Sequence, residues 1–338
     1  NGEMKNITFG LFAAEEIVSA SGTSIPANGL IEIVSLNEDG TATIKTDLPY
    51  GRYYVQEIAT DSHYKLSDAK YPIIFEYVGQ DTAVVKIAVN DGKAIKNDLI
   101  YGSVSGKKVD EDGNALGGAM IGLFRTDDGE FTKENALMTT TSAEDGSFSF
   151  ENIPCGTWYV REIEQPTGFV LDDTIYPVTI GTDGQVVEIE IVNEYGRGNI
   201  HLTKVDSEYP DNKLTGAVFE VYKDSNNNSK LDEGDELLGT LTEKEIGEYG
   251  MNDLFYGRYF VKETKAPDGF VLDTDVYEVV IDTDGKTYDV ENKAGVGFIN
   301  EVMRGNLKIV KTSSDGKVKG FAFRITGANG YEIILETD

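Results

Sequence analysis

A glutamate recurs at one fixed place in three related segments of the sequence. The segments are "GRYYVQEIATDSHYKLSD" (51–68), "GTWYVREIEQPTGFVLD" (156–172) and "GRYFVKETKAPDGFVLD" (257–273), and they contain Glu57, Glu162 and Glu263. Each segment reads as a β-strand, in which alternate side chains lie on the same face. Because the glutamate alternates with an aromatic residue and a valine, we expect each carboxyl group to point into an apolar core.

Lysine and asparagine recur in the same units. Each complete unit opens with a strand that carries a lysine among its apolar residues, and closes with a strand that carries an asparagine. The lysines are Lys108, Lys204 and Lys311, and the asparagines are Asn97, Asn193 and Asn300. Two complete sets are therefore predicted: Lys108, Glu162 and Asn193; and Lys204, Glu263 and Asn300.

These three residue types could react with one another inside a core. Burial favours the neutral forms of lysine and glutamic acid. A neutral amine is a nucleophile, and a protonated glutamate could polarise the asparagine carbonyl and carry protons. Attack on the amide carbon would expel ammonia and leave a Lys–Asn isopeptide bond. The reaction would occur once per domain, so nothing favours a turnover enzyme. The alternative is a set of buried polar groups that only hydrogen-bond to one another, although a lone buried lysine is costly.

The repeat defines the expected architecture. Short, alternating, turn-linked strands predict an all-β chain of small β-sandwich domains in a row, with one or two helical turns at most, at 133–140. The predicted domains are 1–101, 102–197 and 198–304, followed by the first two strands of another domain at 305–338. Both ends of the chain are expected to cut through domains of a longer protein.

The first domain is predicted to lack its opening strand, because "ITFGLF" (7–12) aligns with "AMIGLF" (119–124) in the second strand of the next domain. Glu57 and Asn97 therefore have no lysine partner within their unit. Two sources of that lysine remain open. It lies upstream of residue 1, or Lys311 of another molecule supplies it and links two chains.

Composition restricts the function. The 338 residues carry a net charge of −29, which excludes nucleic-acid binding because phosphate requires a basic surface. A single cysteine excludes an intrachain disulfide bond. The sequence contains no signal peptide and no apolar stretch long enough to span a membrane, so no membrane insertion is expected in this segment.

The repeated motifs resemble those of a known family. The opening G-x-[VIL]-x-x-x-K, the second-strand "GAVFEVY" (216–222), the segment "YFVKETKAPDGFVL" (259–272) and the closing "INE" (299–301) are similar to collagen-adhesin B-type (Cna-B, SpaA-like, prealbumin-like) domains of Gram-positive surface adhesins and pilins. The resemblance covers essentially the whole chain. It implies tandem immunoglobulin-like (prealbumin-like) sandwiches with isopeptide bonds. It also implies a catalytic acidic residue in each bonded domain, here Glu162 and Glu263.

A second motif occurs only in the third domain. The segment "DSNNNSKLDEGD" (224–235) has the ligand spacing of a calcium loop. Its predicted ligands are Asp224, Asn226, Asn228, the Lys230 carbonyl, Asp232 and Asp235. Serine replaces the usual glycine at position six, and aspartate replaces the bidentate glutamate at position twelve. A polar hairpin loop without metal is the alternative, and no other cofactor is expected.

Together these features predict the structural stalk of an adhesin or fimbrial protein, extracellular and attached to the cell wall of a Gram-positive bacterium. Two other functions remain open. One is a sortase-polymerised pilus backbone subunit, which would associate with other pilin subunits. The other is a module that binds a host extracellular matrix protein or a glycan.

Overall fold

The computed structural model describes residues 6–18, 22–82, 84–327 and 330–337. The described residues form β-strands joined by turns, so the predicted all-β fold class is confirmed. The chain divides into two compact units, Asn1–Arg197 and Gly198–Asp338. The first unit contains two of the predicted domains, and each unit is described by itself.

The first domain contains one four-stranded sheet, in the order β4-β1-β5-β6, and a separate hairpin of β2 and β3. A short 3-10 turn follows at Val89–Gly92. The strands are β1 (Thr8–Ala13), β2 (Ile17–Val18), β3 (Ser24–Ile25), β4 (Leu30–Ser35), β5 (Gly51–Ala59) and β6 (Lys70–Phe75).

The second domain is a two-sheet sandwich. One sheet has the order β10-β7-β13 and the other β12-β11-β8-β9, and Val104, Ile121, Val160 and Ile191 are fully buried in its core. Full burial of such a side chain contributes about 1.5–3 kcal/mol. The strands are β7 (Tyr101–Asp110), β8 (Met120–Phe124), β9 (Met138–Thr141), β10 (Ser147–Pro154), β11 (Gly156–Glu164), β12 (Tyr176–Ile180) and β13 (Val186–Asn193).

Of the one or two helical turns predicted at 133–140, the structure contains one. The Ala136 N–H donates to the Thr132 carbonyl, and strand β9 already begins at Met138. Pairing with β8 extends from Met138 to Thr141, so the sheet ladder replaces the second turn.

The third domain repeats this sandwich in the second unit. Its sheets have the orders β17-β18-β14-β21 and β16-β15-β19-β20, and β22 also pairs with β14. A hairpin, β23 (Ala322–Thr326) with β24 (Glu332–Glu336), ends the described chain. The remaining strands are β14 (Arg197–Asp206), β15 (Val218–Lys223), β16 (Glu236–Thr240), β17 (Thr242–Glu245), β18 (Glu248–Phe255), β19 (Gly257–Lys265), β20 (Val276–Ile281), β21 (Thr287–Asp289) and β22 (Phe298–Asn300).

The opening and closing strands are parallel neighbours in both complete domains. Strand β13 pairs with β7 along its whole length, whereas β21 and β22 share the corresponding edge of β14. The first domain differs, because its residues 41–50 and 84–97 correspond to β10 and the closing strand but form no strand. The opening strand that would lie between them is missing from the described residues.

Candidate functional site

The three glutamates lie at equivalent positions, six residues after the glycine that begins each strand. Glu57 on β5, Glu162 on β11 and Glu263 on β19 are exposed by only 2%, 1% and 0%. Strand β11 shows the cause, since Trp158, Val160 and Glu162 alternate with less buried residues. The alternation expected from the sequence therefore does carry a carboxyl group into each core.

In the second domain, the structure brings the lysine, glutamate and asparagine together. Lys108 on β7 and Asn193 on β13 are 0% exposed. The register of the parallel strands pairs Lys108 with Ile191, two residues before Asn193. The Lys108 ammonium donates to the Ile191 carbonyl at 3.1 Å, and the Asn193 amide donates to Glu162 Oε2 at 2.7 Å.

The third domain reproduces this arrangement with the same register. Lys204 pairs with Phe298, two residues before Asn300, and its ammonium donates to the Phe298 carbonyl at 3.0 Å. The Asn300 amide donates to Glu263 Oε2 at 2.9 Å. The second carboxyl oxygen of Glu263, Oε1, lies 4.0 Å from the Lys204 ammonium. Two domains of different sequence thus build the same cluster.

Burial shifts both titratable groups of each cluster toward their neutral forms. Desolvation lowers the pKa of the Lys204 amine to about 8, although the Glu263 carboxylate pulls it upward. Desolvation raises the pKa of Glu263, against the N–H groups of Asp273 and Asn300 that stabilise its charge. The pKa of Lys108 is likewise lowered and that of Glu162 raised, with burial as the largest cause.

The asparagine side chain is oriented by its neighbours. In the second domain, Asn193 Nδ2 lies between Glu162 Oε2 and the Val170 carbonyl, at 2.7 and 2.5 Å, and both of these oxygens require a donor. The carboxyl group therefore faces the amide nitrogen, whereas the sequence suggested that it would face the carbonyl oxygen. Within the described residues, Glu162 Oε1 and Asn193 Oδ1 have no hydrogen-bond partner, and the same holds for the corresponding oxygens of Glu263 and Asn300.

Sequence reasoning missed an aspartate that supports each glutamate. The backbone N–H groups of Asp172 and Asp273 donate to Glu162 and Glu263 at 2.7 and 2.9 Å. Their carboxylates each accept the hydroxyl of a tyrosine four residues later, Tyr176 or Tyr277, at 2.7 Å. The repeated D-x-x-x-Y spacing, ten residues after the glutamate, is a signal that would have identified them.

Among the described residues of the first domain, two members of the cluster are present, Glu57 and Asn97. Asn97 donates to Glu57 Oε1 at 2.7 Å and to Thr60 Oγ1 at 2.8 Å. Glu57 Oε2 accepts the N–H of Ser67, which occupies the place of the supporting aspartate. No lysine on the described residues of this domain bonds to Glu57 or Asn97, and Lys5 lies outside them.

Lys311 is not part of a cluster in the structure. Its ammonium donates to the Thr312 carbonyl at 2.9 Å and lies 4.6 Å from the centre of the Phe321 ring. Residues 305–313 form no strand, and Leu307 is 68% exposed. The opening strand predicted for this last segment is therefore not formed in the described chain.

In the predicted calcium loop, the aspartate side chains accept hydrogen bonds from the backbone of the loop itself. Asp224 accepts the N–H groups of Asn228 and Ser229, and Asp235 accepts that of Asp232. Ser229 adopts the left-handed φ of 61° that glycine supplies at position six of calcium loops. No group of three or more His, Cys, Asp or Glu side chains in the described chain is arranged to hold a metal, so calcium binding stays a prediction.

Each complete cluster combines an amine with a lowered pKa, an amide carbon on the neighbouring strand and a carboxyl group in contact with the amide nitrogen. Chemically, these groups could act as a nucleophile, an electrophile and a proton carrier. Held together in a water-excluding core, such groups gain a large entropic advantage over the same groups in solution.

The described residues contain no helix long and apolar enough to cross a membrane.

Comparison with known proteins identifies the fold family. The SpaA family, described as a prealbumin-like fold domain, matches residues 1–93, 102–195 and 198–294. Colossin-A of Dictyostelium discoideum is 25% identical over 331 residues, covering 89% of this chain and 3% of Colossin-A. The chain therefore spans only a small part of that relative.

Two solved structures are also similar. The Bacillus anthracis TIE protein is 23% identical with a TM-score of 0.56, over 84% of this chain and 47% of that chain, and this likeness concerns the fold alone. A Streptococcal ancillary pilin is 25% identical with a TM-score of 0.28, over 83% and 81%. The family resemblance read from the sequence is confirmed by the three family matches, and this chain belongs to the SpaA family of prealbumin-like fold domains.

Proposed function

We propose that this chain is a load-bearing stalk segment whose second and third domains each lock themselves with a Lys–Asn isopeptide bond. The observation that carries the proposal is the repeated cluster. In both domains the lysine and the glutamate are fully or almost fully buried, and the glutamate contacts the asparagine amide. A buried lysine without a strong ion pair is expensive, and its repetition at one register favours a chemical role.

The proposed reaction uses groups that are already in place. The neutral Lys204 amine attacks the side-chain carbonyl carbon of Asn300 and forms the new C–N bond. Glu263 takes the proton that the amine loses and delivers it to the amide nitrogen, which its Oε2 already contacts. The bond from that carbon to Nδ2 breaks, and ammonia leaves. Lys108, Glu162 and Asn193 react in the same way, and each domain reacts once.

The bond would join the first strand of a domain to the last strand of the same domain. It closes a loop of 86 residues in the second domain (108–193) and of 97 in the third (204–300). Chain entropy predicts a stabilisation of about 4–5 kcal/mol for loops of this length. The chain has a single cysteine, so this chemistry would supply the covalent reinforcement that intrachain disulfides cannot. We therefore place the protein in an adhesin or fimbrial stalk, outside the cell and attached to the wall of a Gram-positive bacterium, beside other subunits of the same assembly.

The test is the intact mass of the denatured chain. We expect it to fall below the sequence mass by two molecules of ammonia, with cross-linked peptides that join Lys108 to Asn193 and Lys204 to Asn300. Lys108→Met and Lys204→Met should each prevent one bond, so the deficit from each variant's sequence mass should fall to one molecule of ammonia. Lys107→Met is the matched control, because Lys107 is the exposed neighbour of Lys108 on the opposite face of β7. A mass equal to the sequence mass would refute the proposed bonds and would mean that the clusters are buried polar groups that only hydrogen-bond to one another.

A further inference from the structure

In both complete domains, the segment that follows the buried glutamate turns back and bonds to its carboxyl group. In the second domain, the Asp172 N–H donates to Glu162 Oε2 at 2.7 Å, and the Asn193 amide donates to the same oxygen at 2.7 Å. The other oxygen, Oε1, has no hydrogen-bond partner among the described residues. The two carboxyl oxygens therefore have different surroundings, one beside the amide nitrogen and the other without a donor.

The third domain shows what the second oxygen faces. Glu263 Oε2 accepts the N–H of Asp273 and the amide of Asn300, both at 2.9 Å. Glu263 Oε1 lies 4.0 Å from the Lys204 ammonium. The last torsion of a glutamate side chain has a broad energy minimum, so hydrogen bonds determine how the carboxyl plane is turned. The aspartate N–H thus holds one oxygen at the amide nitrogen and directs the other toward the amine.

The side chain of the same aspartate fixes the segment. Asp172 Oδ1 accepts the Thr174 N–H at 3.0 Å, and Asp172 Oδ2 accepts the Tyr176 hydroxyl at 2.7 Å. The Tyr176 ring lies on β12 and packs against the core of the domain. The aspartate therefore ties the donor that contacts the glutamate to a packed strand, and such support is what keeps a reacting group in place.

The third domain repeats the aspartate–tyrosine pair and adds one contact. Asp273 accepts the Tyr277 hydroxyl at 2.7 Å and the Asn292 amide at 2.8 Å. The Tyr277 ring packs edge to face on Phe298, with ring centres 5.0 Å apart, and the Phe298 carbonyl accepts the Lys204 ammonium. Two domains of different sequence thus keep the same pair around the cluster.

The aspartate also places a negative charge near the two titratable groups of the cluster. Burial lowers the pKa of Lys108, and the charges of Glu162 and Asp172 oppose that change. Burial raises the pKa of Glu162, and the charge of Asp172 adds to that change. The protonation of the amine therefore depends on the aspartate as well as on burial.

We propose that Asp172 and Asp273 are positioning residues of the cross-linking reaction, each held by its tyrosine so that the glutamate turns one oxygen to the amide nitrogen and the other to the lysine amine. The proposal rests on the isopeptide chemistry proposed above and adds the residues that set its geometry. In the second domain, the Lys108 amine bonds to the side-chain carbonyl carbon of Asn193 and passes its proton to Glu162 Oε1. The glutamate supplies one proton to Nδ2, the bond from the carbon to Nδ2 breaks, and ammonia leaves.

The test is the rate of bond formation in the full chain. Newly made chain from a cell-free synthesis is transferred to buffers that span neutral to alkaline pH, and samples are denatured at intervals. Peptide mapping then measures the Lys108–Asn193 bond against the Lys204–Asn300 bond of the same molecules, so the third domain is an internal reference. Protection of the core amides from hydrogen exchange verifies that each variant is folded.

Tyr176→Phe removes the hydroxyl that holds Asp172 and keeps both the packed ring and the aspartate charge. We expect the bond in the second domain to form roughly tenfold more slowly at every pH, because a displacement of about 1 Å is costly in a reaction of this kind. The bond in the third domain should form at its usual rate. An unchanged ratio of the two bonds would overturn the proposal.

Asp172→Asn separates the charge from the contacts. The new amide oxygen can still accept the Thr174 N–H, and the amide nitrogen can donate to the Tyr176 hydroxyl. Without the negative charge, the Lys108 ammonium loses stabilisation, so the rise of the rate with pH should move to lower pH. Asp173→Asn is the matched control, because it removes the same charge from an exposed neighbour and should leave the pH profile in place. A role in folding alone would not move this profile, so an unmoved profile for Asp172→Asn would contradict the positioning role.

The same experiment separates failure of this proposal from failure of the proposed function. Both bonds in the unmodified chain, with rates that neither variant changes, would overturn the positioning role and leave the stalk proposal intact. Absence of both bonds from the unmodified chain would overturn the two proposals together.

Discussion

Replacing Lys108 with methionine should make the second domain extensible under load. The opening strand β7 and the closing strand β13 are parallel neighbours. When the two chain ends are pulled apart, force is therefore applied to β7 at Tyr101 and to β13 beyond Asn193, which lie at opposite ends of the strand pair. With the isopeptide bond in place, force would pass along β7 to Lys108 and cross directly to Asn193. The 84 residues between them would carry no load. Without the bond, the hydrogen-bonded ladder alone resists shear.

The expected change in length follows from the loop that the bond closes. Lys108 and Asn193 are 85 residue steps apart (193 minus 108), and an extended chain spans about 3.3–3.6 Å per residue. Unfolding should therefore release roughly 280–310 Å. The third domain serves as an internal reference, because Lys204 and Asn300 are 96 steps apart (300 minus 204) and would release roughly 320–350 Å.

Single-molecule stretching of the full chain measures these steps. The unmodified chain should show neither step, Lys108→Met only the shorter one, and Lys204→Met only the longer one. Steps from the first domain and from residues 305–338 should be common to all variants. Both steps in the unmodified chain, or no new step in a variant whose mass proves loss of the bond, would refute the load path.

Four further outcomes are expected. Lys204→Met should lower the stability of the third domain by about 4–5 kcal/mol, read as roughly thousandfold faster hydrogen exchange of its core amides, with the second domain unchanged. Asn300→Ala leaves an unreacted amine with a pKa of about 8, below the ordinary value of ~10.4. The unfolded chain then binds more protons between these values, so urea midpoints for this domain should rise from pH 8 to pH 10, and a flat profile would contradict this. Gly146→Ala should slow bond formation, because a Cβ there would clash with the Lys108 carbonyl oxygen of β7, whereas Gly184→Ala, at a similar φ, meets nothing within 4 Å. Calcium should bind the loop 224–235 with a Kd no tighter than about 0.1 mM, because the metal must displace backbone hydrogen bonds, and Asp232→Ala should abolish the heat of titration.

Much of the cluster could be predicted because it depends on local periodicity. A strand repeats every two residues, so the positions of Lys204, Glu263 and Asn300 relative to apolar neighbours fix the face on which each lies. Aligning the repeats then showed which lysine, glutamate and asparagine belong to the same domain. Burial of all three side chains in the structure agrees with that reasoning.

The supporting contacts depend on packing between distant segments, which periodicity does not encode. Asn292 illustrates this, because its position alone gave no reason to assign it a role. In the structure, the Asn292 side-chain amide donates to the Ile299 carbonyl and to the Asp273 carboxylate, and its oxygen accepts the Ile299 N–H. It thereby joins the end of β21 to β22, where the closing strand of the third domain is interrupted.

The first domain shows why a sequence repeat does not guarantee a structural repeat. Residues 41–50 align with β10 and retain its alternation, yet they form no strand. Strand β10 is an edge strand whose neighbour in its sheet is the opening strand β7. Residues 41–50 have no such neighbour, because the equivalent of β7 is absent from the described residues. The defect was predictable from alignment, whereas the loss of both flanking strands followed only from the structure.

The clusters also explain how a chain can bury a carboxyl group in three cores. In the first domain, Glu57 accepts hydrogen bonds from Asn97 and Ser67. In the third domain, the equivalent pair lies beside a buried ammonium, that of Lys204, 4.0 Å from Glu263 Oε1, and Glu263 Oε1 and Asn300 Oδ1 have no hydrogen-bond partner among the described residues. Isopeptide formation would remove that ammonium and convert it to a neutral amide. On the proposed function, the unreacted cluster would be the less stable state of the same core, and loss of the buried charge would favour the bond that reinforces the domain.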